Sequence, residues 1–548
     1  MRITFLGQAG FFLETKGVSI LADPWFNPAY FASWFPFPAN DGIDPRVIGS
    51  PTYLYVSHLH HDHFDPRWLT EHCSKDAQVL LPAYPLETLR KELEKLGFHR
   101  FIETKDLVPF EAGPLKLMIN ALSAPTDGPI GDSNLLIDDG DVRVLNMNDS
   151  RPIDPDQLLQ LGRLDVLFLQ FSGAIWYPMV YEFPPRAKEV LAHKKRVAQL
   201  ARAFRYIEIL DPTFVVPSAG PPCFLDDDLF AQNDAIDDES NIFPDQTIFL
   251  EHIRAEGREG GRLMLPGTVA EITRTSFEVT HPQPPETIFG AAKPAYLEAY
   301  RERKRAVIAA AKTPWEGKPR VELLAELRPW WEPLLEEADL IAAGINERVA
   351  LDVGDEVIVI DFLTRKVRHR DPDEDEPRYQ FFIERSLVEH LVREHVDDWV
   401  NELFLSMRFS AKRKGPYNDY VYTWFKCLTE ERLQYAEGFY AERGPTQGTF
   451  ELDGWCVQKR CAHMKADLAR FGSVENGVLT CSLHSWQWDL ATGACLTSDG
   501  HHLYARPVGQ EDDQAPKPED AQPPETVSHD SEKAAAEESD AEHQPGAA

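Results

Sequence analysis

The chain has 548 residues, of which 43% are hydrophobic and 11% aromatic, so most of it must fold into globular domains, about three or four by length. Its net charge of −33 argues against nucleic acid or an anionic membrane surface as a partner. No stretch reaches the ~20 apolar residues of a membrane span, and residues 1–8 alternate like a strand, unlike a signal peptide. The seven cysteines show no disulfide framework, which favours a reducing, cytoplasmic location.

Residues 1–285 alternate short apolar runs with turn signals and two longer helical stretches. Helices are predicted at 85–96 and 185–204. The predicted strands are 3–6, 11–14, 18–22, 53–56, 78–81, 115–119, 134–137, 142–146, 166–170 and 214–216. Many strands with interspersed helices predict an α/β fold in which helices cover two packed sheets.

Residues 286–440 are richer in helix and predict an α+β middle domain, whose role the sequence does not indicate. Apolar residues recur at helical spacing over 295–311, 321–336 and 379–404, and residues 356–360 predict a strand between them. A small all-β domain is expected at 441–505. Residues 506–548 are acidic and rich in Pro, Ala and Gln, which predicts a disordered tail.

Two short motifs near the C-terminus carry the clearest chemistry: Cys461-Ala462-His463 and Cys481-Ser482-Leu483-His484. A C-x-H and a C-x-x-H element form the ligand pattern of a Rieske 2Fe–2S cluster, in which one iron takes two thiolates and the other two imidazoles. A tetrahedral zinc site is the alternative for the same residue types, although C-x-H makes a poor zinc knuckle.

The residues that flank these motifs resemble Rieske ferredoxins and oxygenases. A predicted strand at 478–480 leads into the second motif, and Trp486-Gln487-Trp488 follows it. Cytochrome-bc-type Rieske proteins carry an extra cysteine in each ligand loop, whereas Met464, Lys465 and Leu483 stand near those positions here. The resemblance therefore implies the lower-potential ferredoxin and oxygenase group.

A second candidate metal site follows the predicted strand 53–56. It reads His58-Leu59-His60-His61-Asp62-His63, an H-x-H-x-D-H pattern. Imidazoles and a carboxylate that converge within a few residues are costly to bury unless a cation uses them. A solvated polar loop is the alternative interpretation.

This pattern resembles the signature of the metallo-β-lactamase superfamily, and Ala22-Asp23-Pro24-Trp25 and Asn148-Asp149-Ser150 resemble its ascorbate-phosphate lactonase-like branch. The resemblance covers about residues 1–285. It implies an αββα sandwich with metals at one edge of the sheets, where Asp149 takes the place of the bridging carboxylate.

Two histidines of that family's dinuclear zinc site have no counterpart here, because neither 115–127 nor 215–221 contains histidine. His58, His60 and Asp149 remain in one half of the site. Two histidines and one carboxylate are the ligand set of non-haem Fe(II) oxygenases, so a mononuclear Fe(II) is expected, with zinc as the alternative. Asp62 and His63 could bind the metal instead or support its ligands.

Two further groups of residues are weaker candidates. His390 and His395 have the histidine spacing of conventional Rieske oxygenases, but Leu387 stands where those enzymes place an aspartate, and surface histidines on an amphipathic helix explain the pair. The acidic runs 226–228 and 237–239 could hold a cation or a basic substrate group, but a solvated loop explains them as well.

The combination of both modules resembles the CMP-N-acetylneuraminate hydroxylase family, although that family carries its Rieske module at the N-terminus. This resemblance implies an O₂-dependent monooxygenase. In such an enzyme an external reductase or ferredoxin reduces the cluster at Cys461, His463, Cys481 and His484. Electrons then pass to an iron at the first site, and a small metabolite is oxygenated. Asp62, His63 and Asp149 are the catalytic candidates, and Asp62 or His63 could deliver protons.

Two other functions stay open at this point. One is a lactonase-like metal-dependent hydrolase with a redox-sensing Rieske domain, and the other is an electron-transfer protein. The middle domain could form a homo-oligomer interface. The substrate and the electron donor are not indicated by the sequence.

Overall fold

A computed structural model describes residues 1–125, 130–173, 175–234, 236–441 and 448–509. The chain divides into two compact units, Met1–Tyr440 and Ala441–Ala548. Residues 510–548, most of the predicted disordered tail, lie outside the described residues. Among the described residues, no helix is long and apolar enough to cross a membrane.

The first unit begins with two facing β-sheets. The larger sheet has the strand order β14-β13-β1-β2-β3-β4-β5-β6, and the smaller sheet has the order β12-β11-β10-β9-β8-β7. The strands are β1 (Arg2–Gly7), β2 (Gly10–Thr15), β3 (Val18–Ala22), β4 (Tyr53–Tyr55), β5 (Gln78–Leu81), β6 (Phe101–Glu103), β7 (Phe110–Ala112), β8 (Leu115–Leu122), β9 (Asp132–Asp138), β10 (Arg143–Asn146), β11 (Val166–Gln170), β12 (Phe214–Ser218), β13 (Val269–Ile272) and β14 (Phe277–Thr280).

Alternating apolar residues of both sheets meet in one buried layer, which includes Phe5, Phe11 and Phe168. A second apolar layer lies between the larger sheet and three helices. The helices of this part are α1 (Pro45–Ile48), α2 (Pro66–His72), α3 (Thr88–Lys95), α4 (Pro185–Leu210) and α5 (Gln246–Ala255). Because α5 contacts α4 and β12 on the smaller sheet, the layers run helix, sheet, sheet, helix. The predicted αββα sandwich is confirmed.

The strands that lead into the candidate site run parallel within each sheet. In the larger sheet, β3, β4 and β5 are parallel, and the H-x-H-x-D-H loop follows β4. In the smaller sheet, β10, β11 and β12 are parallel, and Asp149 follows β10. Parallel strands end at the same edge of a sheet, so the loops that follow them bring their side chains together.

The remainder of the first unit combines helices with a five-stranded sheet of order β17-β16-β15-β18-β19. Its elements are α6 (Lys293–Lys312), α7 (Leu323–Glu337), α8 (Asp339–Ile345), β15 (Arg348–Asp352), β16 (Val357–Asp361), β17 (Lys366–His369), β18 (Tyr379–Ile383), α9 (Arg385–Arg393), a π-helix (Val400–Phe404), β19 (Phe409–Arg413), α10 (Asp419–Lys426) and α11 (Glu430–Ala441).

The helix predicted over 379–404 is wrong. Its first residues form β18, which pairs in parallel with β15 and antiparallel with β19. This run is rich in aromatic and β-branched residues, which suit a buried strand. The helical periodicity belongs only to α9, and the last residues form the separate π-helix.

The acidic residue Asp226 lies buried in a set of ion pairs rather than in a solvated loop or a cation site. Lys312 and Arg408 both pair with its carboxylate. Arg408, which precedes β19, also donates from Nε to the carbonyl oxygen of Phe31 at 3.0 Å. These contacts join the later part of the first unit to the N-terminal sandwich.

The second unit contains two three-stranded sheets and one short helix. The sheet orders are β20-β21-β25 and β22-β23-β24. The elements are β20 (Thr449–Leu452), β21 (Trp455–Gln458), α12 (Leu468–Phe471), β22 (Gly472–Glu475), β23 (Val478–Cys481), β24 (Trp486–Asp489) and β25 (Ala505–Pro507). Residues 506 and 507, which the sequence places in the tail, therefore belong to β25. The predicted small β domain is confirmed, while the exact borders between the predicted domains stay predictions.

Candidate functional site

The loop after β4 turns two imidazoles toward each other. Nε2 of His58 lies 2.7 Å from Nδ1 of His60. Two ring nitrogens this close repel each other unless a proton or a cation lies between them. His58, His60 and Asp149 offer ligand atoms that all lie within 4.8 Å of one another. The structure thus brings together the three residues that the sequence predicts to hold iron.

A second group of the same size shares Asp149. The ligand atoms of Asp62, His63 and Asp149 also lie within 4.8 Å of one another. Nε2 of His63 is 3.6 Å from Asp62 Oδ2 and 3.5 Å from Asp149 Oδ2. This nitrogen is buried and has no hydrogen-bond partner among the described atoms. A buried imidazole nitrogen aimed at two carboxylates fits a cation position, so both groups have the chemistry of a metal site.

The outer nitrogen of each imidazole is held by an acceptor from elsewhere in the fold. Nδ1 of His58 lies 3.3 Å from Asp132, and Nδ1 of His63 lies 3.1 Å from Asp23. An acceptor that keeps the proton on the outer nitrogen leaves a lone pair on the inner nitrogen, and it also fixes the orientation of the ring. The histidines are thereby prepared to bind a metal.

His60 takes its outer acceptor from a distant part of the chain. Its Nε2–H donates to Oδ1 of Asn401 at 2.7 Å. Asn401 lies in the π-helix, and its amide nitrogen donates to Asp398 at 2.7 Å, which fixes which way the amide faces. Asp398 in turn accepts a hydrogen bond from the buried Arg432 at 2.9 Å. The sequence motif gave no sign of Asn401, although π-helical turns frequently occur at functional sites.

The two carboxylates are also held by hydrogen bonds. Asp62 accepts from the Tyr30 hydroxyl at 2.6 Å and from Nε2 of Gln8 at 2.8 Å. Asp149 accepts from Nε2 of Gln170, the last residue of β11, at 2.8 Å. Burial, followed by the nearby charge of Asp62, raises the pKa of Tyr30, so this hydroxyl stays protonated and donates.

The three buried histidines of the site differ in the direction in which their surroundings shift the pKa. Burial lowers the pKa of His58 and of His60, so both rings are neutral and suited to binding a metal. Burial also opposes the charged form of His63, but Asp62 and Asp149 outweigh it and raise the pKa of that ring. The pair of carboxylates therefore creates a negative position that a cation can neutralise.

A carboxyl group of the π-helix lies beside the loop. Oε2 of Glu402 is 3.3 Å from Nδ1 of His61, and the His61 ring stacks on Tyr30 at 5.5 Å between centroids. Burial raises the pKa of Glu402. The π-helix therefore supplies an acceptor to His60, which is a predicted ligand, and a carboxyl group to its neighbour His61.

The rival histidine pair does not form a metal site. His395 stacks on Trp330 at 4.6 Å and its Nδ1 lies 3.1 Å from the carbonyl oxygen of Val392. His390 contacts the rings of Phe31 and Trp315. In the part of the chain that the structure describes, neither histidine joins a group of three metal-binding side chains. Their role is packing.

In the second unit, the two predicted cysteine ligands are in side-chain contact with each other. Cys461 lies in the loop after β21, and Cys481 ends β23. Both thiols are buried, and the rings of His463 and His484 lie 5.1 Å apart at right angles. The structure describes all seven cysteines, and none forms a disulfide. Two thiols and two imidazoles at adjoining loop tips are the donor set of a Rieske cluster.

Backbone N–H groups point at both sulfur atoms. Those of His463 and Met464 face Cys461, and those of Leu483 and His484 face Cys481. Trp486 also stacks on the His463 ring at 3.7 Å. Hydrogen bonds to the sulfurs stabilise thiolate and are one means by which a protein sets the reduction potential of such a cluster.

Three domain families match this chain. Residues 2–219 match the beta-lactamase superfamily domain, residues 323–442 an Rv3818-like, SCP2-like domain, and residues 447–503 the Rieske [2Fe-2S] domain. The predicted combination of a metallo-β-lactamase-fold domain with a C-terminal Rieske domain is confirmed. The middle region, which the sequence left without a role, corresponds to the SCP2-like match.

Two mycobacterial relatives extend over nearly the whole chain. Rv3818 of Mycobacterium tuberculosis, named as a Rieske 2Fe-2S iron-sulfur protein, is 51% identical over 512 residues, which cover 92% of this chain and 99% of the relative. A Rieske 2Fe-2S iron-sulfur protein of Mycolicibacterium smegmatis is 51% identical over 514 residues, with the same coverage. The chain belongs to this Rieske 2Fe-2S iron-sulfur protein family. Family membership supports a 2Fe–2S cluster in the second unit.

Solved structures resemble about half of this chain at low identity. CmlA, described as a diiron β-hydroxylase from Streptomyces venezuelae, is 18% identical with a TM-score of 0.31, over 48% of this chain and 53% of that chain. Igni18, described as a metallo hydrolase from Ignicoccus hospitalis, is 17% identical with a TM-score of 0.34, over 52% of this chain and 99% of that chain.

Proposed function

We propose that this protein is a Rieske-type, iron-dependent monooxygenase that oxygenates a small metabolite in the cytoplasm. The observation that carries the proposal is the convergence of His58, His60 and Asp149 within 4.8 Å in a chain that also belongs to a Rieske family. Two histidines and one carboxylate with open positions suit a mononuclear Fe(II).

In this proposal Cys461, His463, Cys481 and His484 would hold a 2Fe–2S cluster, and an external reductase or ferredoxin would be its electron donor. His58, His60 and Asp149 would hold an Fe(II). When bound, the two groups would supply single-electron transfer and O₂ activation. The protein's own groups then orient the ligands and handle protons.

Of the two residues that the sequence offers as proton donors, Asp62 and His63, we propose His63 as the donor and Asp62 as the group that holds it. The hydrogen bonds of Asp62 to Tyr30 and Gln8 keep its carboxylate in place while leaving it beside His63. His63 favours its protonated form because both neighbouring carboxylates raise its pKa. A protonated imidazole beside an O₂-activating site can donate the proton that reduction of O₂ consumes.

A metal-dependent hydrolase is the second candidate, and one observation favours it. Asp149 belongs to both ligand groups, so the site offers two adjoining cation positions with a shared carboxylate. Two-metal hydrolases use such a pair to activate water. In that case the Rieske domain would act as a redox sensor.

Metal analysis of the purified full-length chain tests the proposal. About three irons with about two acid-labile sulfides per chain are expected for the oxygenase. About two irons together with zinc would favour the hydrolase, and about two irons with no further metal would favour an electron carrier. Either of these results would contradict the proposal.

A further inference from the structure

A row of polar residues on one face of α4 lies against the loop that carries Asp149. Lys195, Gln199, Arg202 and Tyr206 are spaced by four, three and four residues, which places them on the same side of a helix. The Tyr206 hydroxyl donates to the carbonyl oxygen of Pro152 at 2.9 Å. This bond holds this face of α4 beside the segment that follows Asp149. Arg151 belongs to that segment.

Two of the cations at this place have no carboxylate partner in the described parts of the chain. Arg202 is 8% exposed, and its Nη2 has no hydrogen-bond partner among the described atoms. Neither Arg202 nor the half-buried Arg151 forms an ion pair with any described aspartate or glutamate. By contrast, Arg196 on the same helix pairs with Asp234 at 2.9 Å. Arg196 is therefore paired with a carboxylate, whereas Arg202 and Arg151 are not.

The cations are also close enough to repel one another. Burial, and after it the charges of Arg202 and Arg151, lowers the pKa of Lys195. Burial and the charge of Arg151 likewise lower the pKa of Arg202, and among the described carboxylates only Asp149 acts against this. Asp149 is itself committed to the ligand groups described above. Arg151 and Arg202 have no described carboxylate partner, and placing two such guanidinium groups together in a protein interior costs several kcal/mol per ion. This part of the structure is therefore suited to binding an anion.

We propose that Arg151, Lys195 and Arg202 form a subsite for an oxyanion, the carboxylate or phosphate group of a small anionic ligand. A planar guanidinium group matches such oxyanions with two parallel hydrogen bonds. Arg151 and Lys195 are half-buried, so an anion reaches the subsite from solvent, while Arg202 closes it from the inside. Because Arg151 lies two residues after Asp149, a bound anion is held next to the candidate metal site. The view that this ligand is the substrate rests on the proposed function.

Calorimetric titration of the full-length, metal- and cluster-loaded protein with inorganic phosphate tests the subsite. We expect saturable binding. Arg202→Gln and Arg151→Gln should each weaken it by about tenfold or more, since each removes one charged guanidinium group. Arg186→Gln is the matched control because Arg186 lies on the same helix, exposed and paired with Glu189. This control should bind phosphate as the unmodified protein does.

Two further readouts distinguish phosphate binding at the subsite from misfolding of a variant and from phosphate binding at the metal. Without phosphate, Arg202→Gln should melt at the same temperature as the unmodified protein or higher, because it removes an unpaired buried charge. The His60→Ala variant, which is expected to lose the metal, should still bind phosphate. No saturable binding, unchanged binding in both arginine variants, or loss of binding only in His60→Ala would each overturn the subsite. None of these measurements requires turnover, so failure of the oxygenase proposal leaves their meaning intact.

Discussion

The side-chain oxygen of Asn401 lies 2.7 Å from Nε2 of His60, although 341 residues separate them in the sequence. This hydrogen bond ties a residue of the π-helix to a predicted ligand in the sandwich. It leaves Nδ1 of His60 as the nitrogen that faces His58. The later part of the first unit is therefore a component of the candidate metal centre.

Asn401→Ala should weaken metal binding at the first site by about 10–100-fold, because loss of the partner that orients a ligand has effects of that size. Titration of the metal-free protein with Fe(II) under anaerobic conditions measures the affinity. Gln434→Ala is a suitable control because the Gln434 side chain bonds to the exposed Glu430 of its own helix, at 2.9 Å. Equal affinities of Asn401→Ala and the control would show that the hydrogen bond does not support a ligand.

His60→Ala and Asp62→Asn together show which of the two ligand groups holds the iron. If a single iron is bound by His58, His60 and Asp149, His60→Ala should remove it. Asp62→Asn should retain it with less than about a tenfold loss of affinity, the low end expected for a supporting group. Iron content after gel filtration measures both. Loss of the metal in Asp62→Asn, with retention in His60→Ala, would place the iron in the group of Asp62, His63 and Asp149 instead.

His484→Ala should bleach the visible spectrum of the cluster, because one iron loses an imidazole ligand. The metal content of the first site should stay unchanged, since His484 belongs to the second unit. Absorption spectra and iron analysis on the same sample measure the two properties. An intact cluster spectrum in His484→Ala would contradict the ligand assignment.

Asp226→Asn should lower the free energy of unfolding by about 3 kcal/mol, because it leaves the largely covered Lys312 and Arg408 without the buried carboxylate that they share. Asp228→Asn is the matched control, since Asp228 is exposed, and its effect should stay within about 0.5 kcal/mol. Chemical denaturation followed by circular dichroism measures both variants.

The loss of unfolding free energy caused by Asp226→Asn also has a predicted pH dependence. Burial alone would raise the pKa of this carboxyl group, but its bonds to Lys312 and Arg408 lower the pKa below 3.8. A group with a lowered folded-state pKa stabilises the fold above its unfolded pKa and loses this contribution only as the pH falls through the folded value. The cost should therefore be the same at about pH 7 and about pH 5. A cost that already shrinks over this interval would contradict the lowered pKa.

The sequence predicted those parts of the fold that local patterns specify. Strands such as β1 and β11 follow apolar runs with turn signals at their ends, and the ligand motifs each lie within a few residues of one strand. The prediction of a helix across β18 is wrong because the helical periodicity of α9 follows this strand directly. A strand whose partners are β15 and β19 is specified by tertiary pairing, which the local pattern does not contain.

The candidate site was predictable to a similar extent. His58, His60, Asp62 and His63 form one compact motif, and Asp149 follows a recognisable strand. Two residues that support the site, Gln170 and Asn401, are single polar side chains with no motif around them. They reach the site through strand order and a π-helix, which depend on the packed structure.

In the proposed function the cluster supplies electrons and the iron site activates O₂. These separate roles are tested most directly by O₂ consumption after chemical reduction of the cluster. The His60→Ala variant should keep the cluster's visible spectrum and lose about 99% of the O₂ uptake of the unmodified protein, the size of effect expected when a metal ligand is removed. An unchanged rate of O₂ uptake in His60→Ala, with the cluster intact, would show that O₂ reacts elsewhere and would contradict the proposed oxygenase.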